Sequence, residues 1–498
     1  MAVADAGHDE SMEVTEAVTG VHGDSGPGRI VFRADDERLT PYAGLVCVGE
    51  LARRTGLIEL IDAELETERR AEPVKRRRRG VSGGELVVSL AESQLVGGEC
   101  FDDIEDLRAD AAGAGLRTVA RVPSAPTALQ LAKRFRRCLC QAVERGLARA
   151  GQRLDRALGR EPGEPVTIDL DATVIEVYGR GKRGASRNRS GRLSFAPHIA
   201  FWAQRGRALT GELVAGNREK LSAREAAVIC RRALRLLPAA HGPVCFRIDS
   251  AYYAIDLLGA LRAKAARFTV SVPRTRAIWS ALEQIPDDAW RQASDMPGAE
   301  VAETTYTPDG WKQEPLRLIV RRRCFSAREL SRNPRARRLK TIHPEQLQLA
   351  LAGQLPSVFG YSFTLTDIGD QPATEVERFH RHRAQIEERL KDAKLGQALR
   401  RLPSGDPNAN RVWMTAVLAA INLTAMLCDL SPLAAASGRA LDDAPLRRHA
   451  KTLRRALICV PARIIRHARL TTLRLADGYR QLAALQATWA AAHALPPP

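Results

Sequence analysis

The feature that most constrains the fold is a change of hydrophobic spacing after Pro165. Before it, apolar residues recur at helical intervals; from Val166 to Val272, short β-branched runs alternate with helical segments. Such runs between turn signals are typical of strands. The order is strand, strand, strand, helix, strand, helix, strand. Three antiparallel strands followed by strand–helix crossovers predict an α/β domain with a mixed sheet and flanking helices.

The length of 498 residues allows several domains, and composition indicates their boundaries. Few large apolar groups occur before residue 39, which predicts a disordered N-terminal tail. An all-helical region, a first part of the sheet domain, a mostly β insertion, a second part of the sheet domain and a basic helical C-terminal region are expected to follow. The six segments span residues 1–38, 39–160, 161–273, 274–360, 361–430 and 431–498.

The charge balance points to a polyanionic partner. The chain has 76 Lys and Arg against 58 Asp and Glu, a formal net charge of +18, and nucleic acid is the commonest partner of such a protein. A basic surface kept for solubility is the alternative. The helical region contains a basic loop at residues 75–79 and a helix predicted to carry Lys133, Arg134, Arg136 and Arg137. These clusters favour DNA binding by residues 39–160, although either could be a solvated face.

Two acidic residues lie in the predicted strands. Asp171 is in the run 166–175, and Asp249 ends the run 244–249. A carboxylate in a buried strand is costly unless it is paired, hydrogen-bonded or metal-bound, and two neighbouring ones repel each other without a cation between them. The pair therefore predicts a divalent-metal site. Asp169 remains an alternative to Asp171, because it lies on the same strand face.

A third acid lies in a helix predicted from residue 375 to 399. Four residues spaced 3, 4 and 7 apart return to one face of that helix: His380, Arg383, Glu387 and Lys394. The face would carry one acid and three groups able to bind phosphate oxygens. An ordinary exposed helix with a Glu387–Lys391 ion pair explains the spacing equally well.

Together these motifs resemble those of bacterial insertion-sequence transposases of the DDE class, which have a ribonuclease-H-like catalytic domain. The resemblance covers residues 40–430. It rests on Asp171-Ala172-Thr173, on Asp249-Ser250 followed by Tyr252 and Tyr253, and on a Tyr-x2-Arg-x3-Glu-x6-Lys signature in which His380 replaces the Tyr. The β-rich insertion between the second Asp and the Glu is also similar to this branch of the family.

The resemblance implies DNA transposition, with hydrolytic nicking at transposon ends and attack of the 3′-hydroxyl on target DNA. Asp171, Asp249 and Glu387 would be the catalytic and metal-binding residues for Mg²⁺ or Mn²⁺, expected as two ions. His380, Arg383 and Lys394 would bind DNA phosphates. The implied partners are double-stranded DNA, as terminal inverted repeats and target, and a second copy of the chain in a homodimer. A non-catalytic DNA-binding protein derived from a transposase, or a ribonuclease-H-like nuclease without strand transfer, remains an alternative.

The remaining features favour a cytoplasmic protein, associated with the nucleoid when bound to DNA. Nine scattered cysteines lack zinc spacing, and no signal peptide is expected. The best membrane candidate, residues 412–428, is short and contains polar residues, which favours a buried core helix and no membrane contact. Core packing is expected for His198 and Trp202, and for Trp311 rather than stacking on an unpaired base.

Overall fold

The computed structural model describes residues 33–75, 79–161, 163–179, 181–331, 337–433 and 448–498. Most of the predicted disordered tail, three arginines of the basic loop at 75–79, and Arg180 lie outside these ranges.

The first part of the chain is helical, as predicted. It comprises β1 (Leu39–Thr40), α1 (Leu45–Thr55), α2 (Leu57–Thr67), α3 (Gly83–Val96), α4 (Ile104–Ala109), α5 (Ala125–Ala132) and α6 (Arg137–Ala157). The start of α3 is fixed by a capping box, in which the Ser82 hydroxyl accepts from the Glu85 N–H and the Glu85 carboxylate accepts from the Ser82 N–H. The predicted single helix carrying four cations is wrong, because the chain breaks between α5 and α6 where Phe135 turns into the core. Lys133, Arg134 and Arg136 are exposed at this break.

The central sheet has the mixed arrangement that the sequence predicts. Its elements are β2 (Val166–Ala172), β3 (Ile175–Glu176), β4 (Ser186–Arg187), β5 (Leu193–Trp202), β6 (Arg207–Ala215), α7 (Ala223–Arg235), β7 (Val244–Ile248), α8 (Ile255–Arg262) and β8 (Ala266–Ser271). β2, β5 and β6 pair antiparallel, whereas β7 lies parallel to β2 and β8 parallel to β7. The spatial order β6-β5-β2-β7-β8 is that of a ribonuclease-H-like fold. Leu170 is aligned with Ile248, so the residues after them reach the same edge of the sheet.

The insertion extends this sheet instead of starting another layer. It contains α9 (Arg276–Leu282), β9 (Arg291–Gln292), β10 (Ala299–Tyr306), β11 (Leu316–Ser326), α10 (Ala327–Ser331) and α11 (Pro344–Leu351), and its predicted end at residue 360 falls within the next strand, β12 (Ser357–Thr366). β12 pairs antiparallel with β8, and β11, β10 and β9 follow in turn. Eleven strands therefore form one sheet.

The helix predicted from residue 375 to 399 is divided. α12 (Ala373–Arg381) is followed by a 3₁₀ turn at His382–Ala384 and then by α13 (Gln385–Gly396). The tighter turn changes the angular relation between residues on either side, so the four predicted site residues do not share one face. α14 (Pro407–Leu430) follows. It is long and apolar enough to cross a membrane, but 94% of its most apolar window is buried in the protein, which confirms the prediction of a core helix.

The C-terminal region is only partly helical. α15 (Ala450–Leu453) is followed by β13 (Ala462–His467), β14 (Leu470–Arg474) and α16 (Leu482–His493). The prediction of a helical region is wrong for the hairpin, in which β13 pairs with both β1 and β14. Its turn was missed because Ala468 and Arg469 occupy positive φ values of 46° and 68°, which are usually filled by Gly or Asn.

Two large hydrophobic clusters lie on either side of the sheet. One joins the N-terminal helices to α13, α14, α16 and strand β5; the other lies under α7, α8 and α9. His198 and Trp202 are 0% and 7% exposed, as expected for core residues. The helical region and the sheet thus share a core around α14.

Candidate active site

Two strands bring Asp171 and Asp249 to one edge of the sheet. Asp171 lies near the end of β2, and Asp249 directly follows β7. One oxygen of each carboxylate accepts a 2.7 Å hydrogen bond from the next residue's N–H. The side chains are 16% and 37% exposed. They line a cavity of about 400 Å³ that also contains Thr173, Ser250 and Tyr252.

Arg383 lies between the two carboxylates. Its Nη1 is 3.4 Å from Asp171 Oδ2, and its Nη2 is 3.7 Å from Asp249 Oδ1. The 3₁₀ turn between α12 and α13 directs the guanidinium to this position. The structure thus brings Arg383 together with both acids, and its phosphate contact stays a prediction.

The ionised form of Asp171 is disfavoured despite its contact with Arg383. Burial raises the pKa of Asp171 to about 6. Arg383 and the Ala172 N–H oppose that rise, whereas Asp249 and Glu387 add to it. Glu387 is exposed on α13; it adds slightly to the rise in the pKa of Asp171, but it does not line the cavity of the two aspartates. Arg383 therefore offsets only part of the effect that burial and the neighbouring acids have on Asp171.

The donor set suits a hard divalent cation in its chemistry. Asp171 and Asp249 offer carboxylate oxygens only, the ligands that Mg²⁺ prefers, and their shared edge leaves room for water and substrate oxygens. Within the described residues, no three His, Cys, Asp or Glu side chains are close enough to form a metal-binding group. Arg383 supplies the cationic charge between the aspartates in this arrangement.

Asp169 is excluded from the acidic pair by its own partner. It is fully buried and forms a bidentate pair with Arg247, at 2.7 and 2.9 Å. Arg247 also donates to the Phe379 carbonyl at 3.0 Å and lies over the Phe379 ring. This buried pair attaches α12 to the sheet. Sequence reasoning missed Arg247, although it lies two residues before Asp249, as Asp169 lies two before Asp171.

The predicted phosphate contact of His380 is contradicted by its placement. His380 is 8% exposed, with Nδ1 2.9 Å from the Thr269 hydroxyl and Nε2 2.9 Å from the Ser271 hydroxyl. Burial, reinforced by neighbouring arginines, lowers its pKa to about 3. His380 is therefore a neutral residue that joins α12 to β8.

Lys394 is separate from the two aspartates. It lines a neighbouring cavity of about 770 Å³, together with Lys182, Arg400 and Arg401. Val174 lines both this cavity and the acidic one. Lys394 therefore lies on a surface continuous with the acidic site.

Tyr252 and His198 support the turn after Asp249, an interaction that no residue pattern indicated. The Tyr252 hydroxyl is 2.5 Å from His198 Nδ1, and His198 Nε2 is 3.2 Å from the Arg218 carbonyl. Because a carbonyl only accepts, Nε2 carries the proton and Nδ1 accepts from the hydroxyl. Burial lowers the pKa of His198 to about 4. Trp311, in contrast, is 7% exposed and donates to the Glu314 carbonyl, which confirms packing.

Comparisons with known proteins give one family assignment. None of the curated proteins matches the chain. A cryo-EM structure of a piggyBac transposase synaptic complex with hairpin DNA is 11% identical in sequence, with a TM-score of 0.37 over 84% of this chain and 79% of that chain. The family model described as transposase DDE domain group 1 matches residues 25–496. Because that match spans nearly the whole chain, the protein belongs to this family of DDE transposases.

Proposed function

We propose that this protein is a DNA transposase that binds transposon ends and catalyses metal-dependent strand cleavage and strand transfer. The observation that carries the proposal is the pairing of Asp171 and Asp249 at one sheet edge, with Arg383 between them. Membership of the DDE transposase family supports it.

In this proposal the three acids bind Mg²⁺ or Mn²⁺, expected as two ions. When bound, the metal would activate the attacking water or 3′-hydroxyl and stabilise the leaving oxygen. Arg383 would contact a phosphate oxygen and offset the charge that develops during cleavage. Arg189 and Lys220, which line the mouth of the acidic cavity, would position the adjoining backbone. Lys394 would bind a phosphate farther along the strand.

The proposed partners are transposon terminal inverted repeats, target DNA and a second copy of the chain. The net charge of +18 supports a polyanionic partner. The exposed cations between α5 and α6 support DNA contact by the helical region. A homodimer that pairs two transposon ends, and a bacterial cytoplasm as the location, follow from the resemblance to insertion-sequence transposases.

The experiment that tests the proposal compares Glu387→Gln with Glu388→Gln. Duplex DNA from the borders of the gene is the substrate, with Mg²⁺ or Mn²⁺, and nicking and binding are measured separately. Glu387→Gln should lower nicking by at least about 100-fold and leave binding unchanged, because the lost charge belongs to the metal site. Glu388 pairs with Lys391 on the exposed side of the helix, so its variant should nick normally. Equal nicking by both variants contradicts the assignment.

The products separate the two alternatives. A transposase joins the 3′-end to target DNA, whereas a nuclease without strand transfer releases nicked DNA and forms no joined product. A non-catalytic DNA-binding protein would bind the border DNA and show no metal-dependent nicking.

A further inference from the structure

A basic groove leads away from the acidic pair. This cavity of about 770 Å³ shares Val174 with the acidic one and is lined by Tyr178, Lys182, Lys394, Arg400 and Arg401; we refer to it as the Tyr178 groove. It also shares Cys100 and Pro403 with a third cavity, of about 490 Å³, which contains Lys133. The groove thus connects the carboxylates to the basic break between α5 and α6.

Tyr178 differs from the other tyrosines of the chain. It is 80% exposed, whereas the remaining six, all within the described residues, are buried or half-buried. Its ring has no aromatic partner among the described residues. An exposed aromatic ring beside several cations is the arrangement that binds unpaired nucleic acid, in which bases stack on the ring and cations contact the backbone.

Two of the cations that line the groove are lysines. Lys182 Nζ donates to the Leu402 carbonyl at 2.6 Å, which leaves two of its protons free for other acceptors. Lys394 is half-buried, and burial lowers its pKa. No carboxylate of the described residues forms an ion pair with either lysine. These two ammonium groups therefore provide binding positions for phosphate oxygens.

Glu99 forms ion pairs with the other two cations of the groove, Arg400 and Arg401. Its carboxylate accepts from Arg400 Nε at 2.9 Å and from Arg401 Nε at 3.1 Å. Burial favours the protonated acid, but the two arginines prevail and hold the pKa of Glu99 below its usual value. A carboxylate between two guanidinium groups stands where a phosphate could be bound in the same way. Glu99 would therefore compete with a DNA backbone for this end of the groove.

We propose that the Tyr178 groove binds single-stranded DNA beside the scissile phosphate, with Tyr178 stacked on an unpaired base and Glu99 displaced from Arg400 and Arg401 by the backbone. The inference rests on the proposed function and names the form of DNA at that site. An unpaired segment is favoured over a duplex because, inside a duplex, the two neighbouring base pairs stack on both faces of each base. No base face is then left for the ring of Tyr178.

The stacking role is tested by binding of the full chain without divalent metal, so that no cleavage is required. The probes are a 12-nucleotide oligothymidine with one central 2-aminopurine and a blunt duplex of the same length. Tyr178→Phe should bind the single strand as the native chain does and quench 2-aminopurine equally. Tyr178→Leu keeps the apolar volume without the ring, so it should bind the single strand about 5-fold or more weakly and lose the quenching. Binding of the blunt duplex should not change.

The role of Glu99 has its own variant and control. Glu99→Gln should bind the oligothymidine several-fold more tightly, because Arg400 and Arg401 no longer have to leave a carboxylate. Glu303→Gln, which removes an exposed partner of Arg317 in the insertion, should bind it as the native chain does.

Equal single-strand binding by the Phe and Leu variants overturns the inference, as does a larger effect of Tyr178→Leu on the blunt duplex or weaker binding by Glu99→Gln. These results are independent of nicking. A failed nicking assay therefore counts against the proposed function, whereas unchanged binding by the Tyr178 variants counts against the groove alone.

Discussion

Arg383 and Asp171 set the charge balance at the residue scale. Arg383 contacts both aspartates, yet the pKa of Asp171 is still raised to about 6 by burial and the nearby acids. An ionised Asp171 thus destabilises the folded chain when no further cation is present. A bound divalent ion would stabilise the ionised form of this carboxylate and so offset that effect.

The raised pKa predicts how stability varies with pH. Between about pH 4 and pH 6 the folded chain keeps a proton on Asp171 that the unfolded chain has lost, so this group lowers stability as the pH rises through that interval. At pH 7.5 without metal, Asp171→Asn should raise the free energy of unfolding by about 1–3 kcal/mol. The gain should vanish at about pH 3, where both states are protonated.

Denaturant unfolding at the two pH values measures this effect. Mg²⁺ or Mn²⁺ should raise the melting temperature of the native chain and leave that of Asp171→Asn unchanged. Asp256→Asn, an exposed position in the first turn of α8, should change stability by less than about 0.5 kcal/mol. An Asp171→Asn variant less stable than the native chain at pH 7.5 would show that Arg383 outweighs the burial of Asp171.

At the element scale, the position of α12 depends on the buried pair of Asp169 and Arg247. The pair lies beneath the helix, and Arg247 also bonds the Phe379 carbonyl. His380 adds two hydrogen bonds to β8. These contacts fix the end of α12, from which the 3₁₀ turn directs Arg383 to the aspartates. Arg247, a strand residue that is buried too deeply to contact substrate, therefore helps to position Arg383.

Replacing Arg247 alone should lower the free energy of unfolding more than replacing both Arg247 and Asp169. Arg247→Leu leaves Asp169 buried without its partner and should lower the free energy of unfolding by about 3–5 kcal/mol, whereas Asp169→Leu with Arg247→Leu should restore most of that loss. Despite its restored stability, the double variant should cleave DNA about 10-fold or more slowly than the native chain, because the contacts of Arg247 with α12 are lost. Denaturant unfolding and nicking rates measure the two effects. Normal nicking by a stable double variant would mean that the pair has no positioning role.

At the scale of the whole molecule, α14 joins the helical region to the sheet. Asn422 accepts from the Ala208 N–H at 2.8 Å and donates to the Ala208 carbonyl at 3.0 Å. Among the described strands, β6 pairs only with β5, so this amide completes the hydrogen bonds of an edge strand inside the core. These two hydrogen bonds lie within an otherwise apolar contact, and they fix the position of α14 relative to β6.

Asn422→Leu should therefore destabilise the whole chain. It leaves two buried backbone groups of Ala208 without partners, at a cost of about 2–4 kcal/mol. Thr415→Val, on the same helix, should cost less than about 1 kcal/mol, because its hydroxyl donates to the Arg411 carbonyl of its own helix and otherwise meets only the weakly donating Cys140 thiol. Denaturant unfolding compares the two. Similar small losses for both variants would show that water or a shift of α14 satisfies Ala208.

Local sequence signals determined the order of strands and helices in the central sheet and the two aspartates at the strand ends. These follow from residue spacing within a few turns or one strand, where the chain's own geometry governs which side chains share a face. The same geometry predicted wrongly that His380 shares a helix face with Arg383 and Glu387. That prediction fails because the 3₁₀ turn that divides α12 from α13 arises from contacts with the sheet.

Only the tertiary structure decided which aspartate faces the site. Asp169 and Asp171 are equivalent by alternation, and the choice is made by Arg247, 78 residues after Asp169 in the parallel register. The Tyr178 groove likewise combines Glu99, Tyr178 and Arg400 from distant parts of the chain. Spacing along a sequence records local faces, whereas partners brought together by folding determine which charges are paired and which remain free to act.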